Sequence, residues 1–313
     1  MIPSTAHFVW LGPHFPWFNV LAVRSALQRG GFEKAVVHHD HPPVGPNWAA
    51  LLTDSRVQLQ SVNVADLCVH AGLDAASFLD LMKDLQAPAA RSNVIRCLAL
   101  AGQGGVYLDT DTVTVRALDD LRAASSVFCG QERVARPARL LRSKRKSDHV
   151  LSWGLMGLRH AFRLYPRGYL HFRMIENLYP LAVNNAVLAS TAQHPFMLSL
   201  LNKMLLLPKT LRGVRFALGT HLLQDHVEQH RGDDVVVYPP EYFYPLPPEI
   251  ADHWFRKHSK HDIHQAMSSQ TRVVHWYGST HRQKQMNMLE PRYVRDNAHR
   301  QMLSQLAAPF AAT

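Results

Sequence analysis

Cysteine is scarce in this chain of 313 residues: Cys68, Cys97 and Cys129 are the only three. An odd number at wide spacing builds neither a disulfide framework nor a zinc motif. Three reduced, core-type thiols suit a reducing, cytosolic compartment. Long hydrophobic runs are lacking too. No stretch reaches the roughly 18 apolar residues that a transmembrane helix needs; the nearest approach, Val150 to Leu158, falls far short. The opening MIPSTAHFVWLG carries no basic segment and no long apolar stretch, so no signal peptide is expected. Acidic residues are outnumbered, 24 Asp and Glu against 34 Lys and Arg, for a net charge of +10 with His neutral. There is no internal repeat and no low-complexity tract, which excludes solenoids and compositionally biased linkers.

What is present is a core. Hydrophobic residues make up 47% of the chain and charged residues 19%, which excludes a disordered polymer. The length suits one large domain or one and a half. A basic balance favours anionic partners, such as a nucleotide diphosphate, a phospholipid surface or a nucleic acid. Twenty histidines would raise the charge further in mild acid.

Apolar and helical patterns alternate over the first hundred residues. Strands are expected at 6–11, at Ala35–His39 and at Val57–Val62. Helices are expected from Phe18 to Arg29, stopped by Gly30-Gly31, and after Val62 through Ala71. A β-α-β-α-β order of this kind predicts an α/β fold with a mainly parallel sheet flanked by helices. Pro88 to Ala101 reads as a strong helix with Val94, Cys97, Leu98 and Ala101 in one stripe. Further on, strands are expected at Thr112–Val115, Ala186–Ser190, Val235–Tyr238 and Arg272–Trp276, and helices at Pro195–Leu207 and Gly219–His230. The basic run 133–149 reads as a loop or insertion. No linker interrupts the pattern, so the chain is expected to be one catalytic domain over 1–313. Its 1–115 part would take the donor, and its 116–313 part, with the insertion, would face the acceptor.

The chemistry concentrates in Gly104-Gly105-Val106-Tyr107-Leu108-Asp109-Thr110-Asp111. A glycine pair ends the helix and a short apolar strand follows. Residues two apart in a strand share a side, so Asp109 and Asp111 can converge at its frayed end on one hard cation. Loops beyond the C-terminal ends of parallel strands are where α/β proteins bind ligands. A cation there would hold a diphosphate, which points to a nucleotide sugar.

The run Arg91-Ser92-Asn93-Val94-Ile95-Arg96-Cys97-Leu98-Ala99-Leu100, followed by that strand, resembles the sugar-binding region of DXD-motif glycosyltransferases. This group includes initiating mannosyltransferases, alpha-1,4-galactosyltransferases and bacterial polysaccharide transferases, and more distantly the clostridial glucosylating toxins. The start from Ile2-Pro3 to Gly12 resembles the group's opening strand, and Asn185 to Ala189 with His194-Pro195-Phe196 resembles a downstream segment. The resemblance implies a GT-A-type fold, a nucleotide-sugar donor, Mn2+ or Mg2+, and transfer with retention. It implies that Trp10 stacks on the base, with Leu11, Asn93 and Thr110 also in the donor-binding set. Arg96 would reach donor hydroxyls or phosphate, Asp109 the ribose or sugar hydroxyls and the metal shell, and Asp111 the metal itself. His275, beside Trp276, would be a further metal or phosphate ligand, with His281 a second source of positive charge. Relatives carry Ser-Asp where this chain has Ser92-Asn93, which keeps an acceptor oxygen and removes a charge. They also often carry Gly-Pro where it has Gly219-Thr220. The donor would be a UDP-sugar before GDP-mannose. The acceptor would be a glycan, a lipid-linked sugar, a protein or a small molecule. The basic run would allow peripheral membrane contact, and no nucleic-acid partner is expected.

Two other readings fit parts of the chain. Leu108 to Val113 matches the nucleophile motif of haloacid-dehalogenase-like phosphatases, with Asp109 attacking phosphorus and Asp111 as acid/base. That motif opens its own domain, whereas about 100 α/β residues precede it here. The pI near 9.7 would also suit a non-catalytic nucleic-acid binder, although no zinc spacing and no RNA-recognition signature supports one.

Overall fold

The computed structural model describes residues 1–258, 262–278, 286 and 288–311. The chain divides into two compact units. The first takes Met1–Thr110, Arg116–Gly130 and Val183–Tyr238; the second takes Asp111–Val115, Gln131–Ala182 and Pro239–Thr313.

The first unit is built on a seven-stranded mixed sheet. Its strands are β1 (Thr5–Trp10), β2 (Lys34–His39), β3 (Val57–Ser61), β4 (Gly105–Leu108), β6 (Val127–Arg133), β7 (Leu181–Ser190) and β8 (Val235–Tyr238), in the order β3-β2-β1-β4-β7-β6-β8. β1 runs parallel to both β2 and β4, β2 parallel to β3, and β6 parallel to β8, while β7 runs antiparallel to β4. The sheet is mixed and mostly parallel, with helices between its strands, in keeping with the α/β fold that the sequence predicts. The central strands β1, β2 and β4 are buried along nearly their whole length, whereas the edge strand β3 buries only Val57. β1 to β4 begin within one residue of their expected starts, and the central helix spans Pro88–Gln103.

Pro88 sits at the start of that helix, where its missing N–H costs nothing. Val94, Leu98 and Ala101 pack into the core with Phe196, Met197 and Leu200 of the Pro195–Leu206 helix. His194 starts that second helix, its Nδ1 accepting from the Phe196 N–H at 3.2 Å. The central helix ends at Gly104 (φ +66°), and Gly105 (φ +113°) opens β4. Both glycines are required. A Cβ on Gly105 would lie 2.6 Å from the Thr5 carbonyl, and one on Gly104 2.8 Å from the Ala192 nitrogen.

The second unit contains the antiparallel pair β5 (Thr112–Thr114) and β9 (Val273–His275), with Thr112 opposite His275. Trp254 and Trp276 are fully buried in it. The basic run, expected as a loop or insertion, is only partly a loop. β6 extends to Arg133, Ala138–Leu141 is a helical turn, and a 19-residue helix, Lys146–Leu164, begins inside the run. That helix escaped the sequence pattern because only Ser152 and Leu155 of it are buried, so no inward apolar stripe marks it.

A second departure is the start of the helix expected at Gly219. Ala217–His221 is a wide turn in which the His221 N–H reaches back five residues to the Phe216 carbonyl at 3.1 Å. Gly219 lies outside the helical region there, at φ −109°, ψ −113°, and the regular helix is Leu222–Gln229.

Candidate active site

In the first unit, β4 delivers Asp109. Its backbone N–H donates to the Ala186 carbonyl at 2.8 Å, which extends the β4–β7 ladder by one step. Its Oδ1 accepts from the Tyr107 hydroxyl at 2.6 Å and lies 3.1 Å from Nη2 of Arg96. Tyr107 is two residues before Asp109, on the same side of the strand, so this contact follows from strand geometry. Arg96 projects from the central helix with only 6% of its side chain exposed. Its Nη1 donates to the Asn185 carbonyl at 2.7 Å, and its guanidinium lies 4.1 Å over the Tyr107 ring. Burial first, and the adjacent Asp109 carboxylate besides, push the Tyr107 hydroxyl well above its ordinary pKa. It therefore stays protonated as a donor to Asp109.

One turn before Arg96, Asn93 accepts at Oδ1 from Nδ2 of Asn185 at 2.8 Å. Gly219 closes on this amide pair, where a Cβ would stand 2.8 Å from Nδ2 of Asn93. Asn93 and Arg96 are thus joined through Asn185, and Asp109, up to sixteen residues away in sequence, through Arg96. The sequence marked Asn185 only as part of a segment, and Tyr107 only as part of the strand.

Trp10 and Leu11 are half-buried at the end of β1. The Trp10 indole N–H donates to the His14 carbonyl at 2.7 Å, and its ring meets the edges of Phe15 and Phe18. These contacts fix the indole plane. Beside it, the Gly12 N–H donates to Oδ1 of Asp40 at 2.8 Å. Thr110, the last residue of this unit's first segment, is half-buried.

In the second unit, Asp111 immediately precedes β5. Its Oδ1 lies 3.1 Å from Nε2 of His275, and its Oδ2 accepts the Gly278 N–H at 2.6 Å. Burial works against ionisation of Asp111, but His275 and the backbone N–H groups outweigh it and hold the carboxyl below its usual range. Tyr277 adopts φ +57°, a conformation uncommon for a residue with a Cβ. The turn it makes after β9 points the Gly278 N–H at Asp111. The Tyr277 hydroxyl donates to Oε2 of buried Glu132 at 2.5 Å, and its ring lies 4.1 Å from that of His275. Tyr277, Gly278 and Glu132 carried no signal in the sequence, because their roles depend on one left-handed turn. His281 lies outside the described residues.

Within the second unit, Asp111 and His275 offer a carboxylate and an imidazole as donors for a metal ion. Such a donor set suits Mg2+ or Mn2+ better than a thiolate-seeking metal.

Residues 44–128 match the family described as glycosyltransferase sugar-binding region containing DXD motif. Residues 218–301 match the alpha 1,4-glycosyltransferase conserved region. Among curated proteins, the chain is similar to glucan organizing enzyme 1 of Cryptococcus neoformans var. grubii, 27% identical over 130 residues. That match takes in 39% of this chain and 32% of the relative, so it spans about a third of the relative's length. Among solved structures, mouse xyloside xylosyltransferase 1 is similar at 14% identity and a TM-score of 0.49, with 89% of this chain and 99% of that one covered. The galactosyltransferase LgtC, in complex with donor and acceptor sugar analogs, is similar at 10% identity and a TM-score of 0.40, with 97% and 95% covered. The PaToxG glycosyltransferase is similar at 15% identity and a TM-score of 0.45, with 73% and 68% covered.

Proposed function

We propose that this DXD-region glycosyltransferase moves a sugar from a nucleotide-sugar donor with a divalent metal held by Asp109, Asp111 and His275. That it is a glycosyltransferase follows from the two family regions it carries. The observation that supports the finer reading is the Asp111–His275 pair at 3.1 Å, two residues along the chain from an Asp109 already oriented by Tyr107 and Arg96. Mn2+ or Mg2+ bound there would neutralise the departing nucleoside diphosphate.

The chain's own residues do the positioning. Tyr107 and Arg96 orient the Asp109 carboxylate, which would serve donor hydroxyls or the metal. The Gly278 N–H and His275 fix both oxygens of Asp111. Asn93, pinned by Asn185, would read a sugar hydroxyl, and Trp10 would stack on the base with Leu11 and Thr110 beside it. The donor is proposed to be a UDP-sugar before GDP-mannose, and transfer to retain configuration at the anomeric carbon. No general base is assigned, because the leaving diphosphate can take the acceptor's proton. The acceptor class is a glycan, a lipid-linked sugar, a protein or a small molecule. A cytosolic setting belongs to the same proposal, and the three unpaired, buried cysteines support it.

The phosphatase reading would need Asp109 as a nucleophile. That role is opposed by the hydroxyl and guanidinium that already share its Oδ1. The test is a panel of nucleotide sugars incubated with Mn2+ or with EDTA, scored for release of the nucleoside diphosphate. Metal-dependent hydrolysis of one or two UDP-sugars is the expected result. Turnover equal in EDTA and in Mn2+ would remove the metal from the reading.

A further inference from the structure

Helix Lys146–Leu164 is amphipathic in the unusual sense. Its inward face buries Leu155, sets Phe162 against Phe172, and is tied down by polar contacts. Ser152 donates to the Ala135 carbonyl at 3.2 Å, Arg159 pairs with Glu249 at 2.9 Å, and Arg163 donates to the Pro248 carbonyl at 2.6 Å. Glu249 is itself buried and accepts the Ala135 N–H at 2.8 Å. The helix therefore cannot roll about its axis. The opposite face follows the spacing Val150, Trp153-Gly154, Gly157-Leu158, Ala161, Leu164, and all of these residues are exposed. Val150 is 70% exposed, Trp153 66% and Leu164 81%. A Cβ built on Gly154 or Gly157 would meet nothing within 4 Å.

The charge around this face is one-sided. Residues 134–164 hold eight Lys and Arg against a single acid, Asp148. Arg142, Lys144, Arg145 and Lys146 are exposed where the helix begins, and the Arg136 guanidinium lies 5.9 Å from the Trp153 ring. Asp148 is engaged by the Ser143 hydroxyl.

From this placement we infer that the outward face of helix Lys146–Leu164 docks on an anionic lipid bilayer, lying in the headgroup plane. An apolar stripe with a Trp, about 21 Å from Val150 to Leu164 at 1.5 Å per residue, matches a helix lying in the interface, and a cation cluster at its end matches acidic headgroups. No described helix is long and apolar enough to cross a membrane, so the contact is peripheral. A second copy of the chain fits less well, since a two-fold pairing through this face would bring two like-charged clusters together. Nucleic acid would leave the apolar stripe uncovered. The surface is independent of the donor reading, because no residue of it is assigned a role in transfer.

Flotation of the whole chain with vesicles tests this. Vesicles of phosphatidylcholine with about a quarter phosphatidylglycerol should carry the protein up the gradient, and pure phosphatidylcholine should not. W153E should abolish flotation. The triple variant K144A/R145A/K146A should weaken binding on the order of 100-fold, as three charges lost at an anionic surface imply. Both variants should keep the melting temperature and donor hydrolysis of the parent. The inference falls if neither vesicle binds the protein, or if both bind it equally. It also falls if the parent is a dimer by sedimentation and W153E makes it a monomer, since the face would then be a protein interface. Flotation that persists in EDTA would separate this surface from the donor site.

Discussion

At the scale of single residues, the two acids of the DXD strand have different surroundings and should fail differently. Asp109 is the partner of a buried Arg96, so its loss also strands a charge inside the first unit. Asp111 faces a histidine rather than a permanently charged guanidinium. Asp111→Asn is therefore the cleaner probe of chemistry. It should lower metal-dependent turnover by at least about a thousandfold while the protein melts within a few degrees of the parent, as expected when a ligand to a leaving-group metal is removed. Steady-state donor hydrolysis with saturating Mn2+, alongside a melting curve, checks this. Near-normal turnover would strip Asp111 of its assignment.

At the scale of elements, the glycine pair before β4 is the feature the local sequence specifies most tightly. Gly105→Ala would press a methyl into the Thr5 carbonyl on β1 and strain a left-handed backbone, at a cost of about 3 kcal/mol. Denaturant titration should show that loss as an earlier midpoint with an unchanged slope. The central helix, β4 and its acids were legible because their signals are local: Pro88, a stripe, two glycines and a period of two. His275 could be placed only through the resemblance, since β9 meets β5 across about 160 residues of sequence. Tyr277 and Gly278 were not legible, because a positive φ on a tyrosine is imposed by tertiary packing and no propensity announces it. Helix Lys146–Leu164 was missed for the opposite reason: its apolar stripe faces away from the core, and its polar stripe faces Glu249.

At the scale of the whole molecule, buried histidines set the behaviour in acid. His7 and His38 stack in the first unit, with His7 Nδ1 3.1 Å from His38 Nε2 and His7 Nε2 2.9 Å from the Gly104 carbonyl. Burial pushes His7 down to about 4 and His38 down to about 3. Above pH 6.5 both are neutral, folded or unfolded, and contribute no pH dependence. As the pH falls from 6.5 towards 4, the unfolded chain takes up protons that the folded chain refuses, so stability is lost. At pH 5 the loss is about 2 kcal/mol for each histidine. His194 and His226, also lowered first by burial, act in the same sense. Thermal melts at pH 7, 6 and 5 should show a steadily falling midpoint, and a flat profile would mean that these rings are not held neutral. The three thiols offer a contrasting, practical consequence. Burial drives Cys68 up to about 11 and Cys97 and Cys129 up to about 12, so almost no thiolate exists at neutral pH. The native chain is thus a silent background for maleimide chemistry. A single cysteine introduced anywhere on its exterior becomes the sole addressable handle for a fluorophore or spin label.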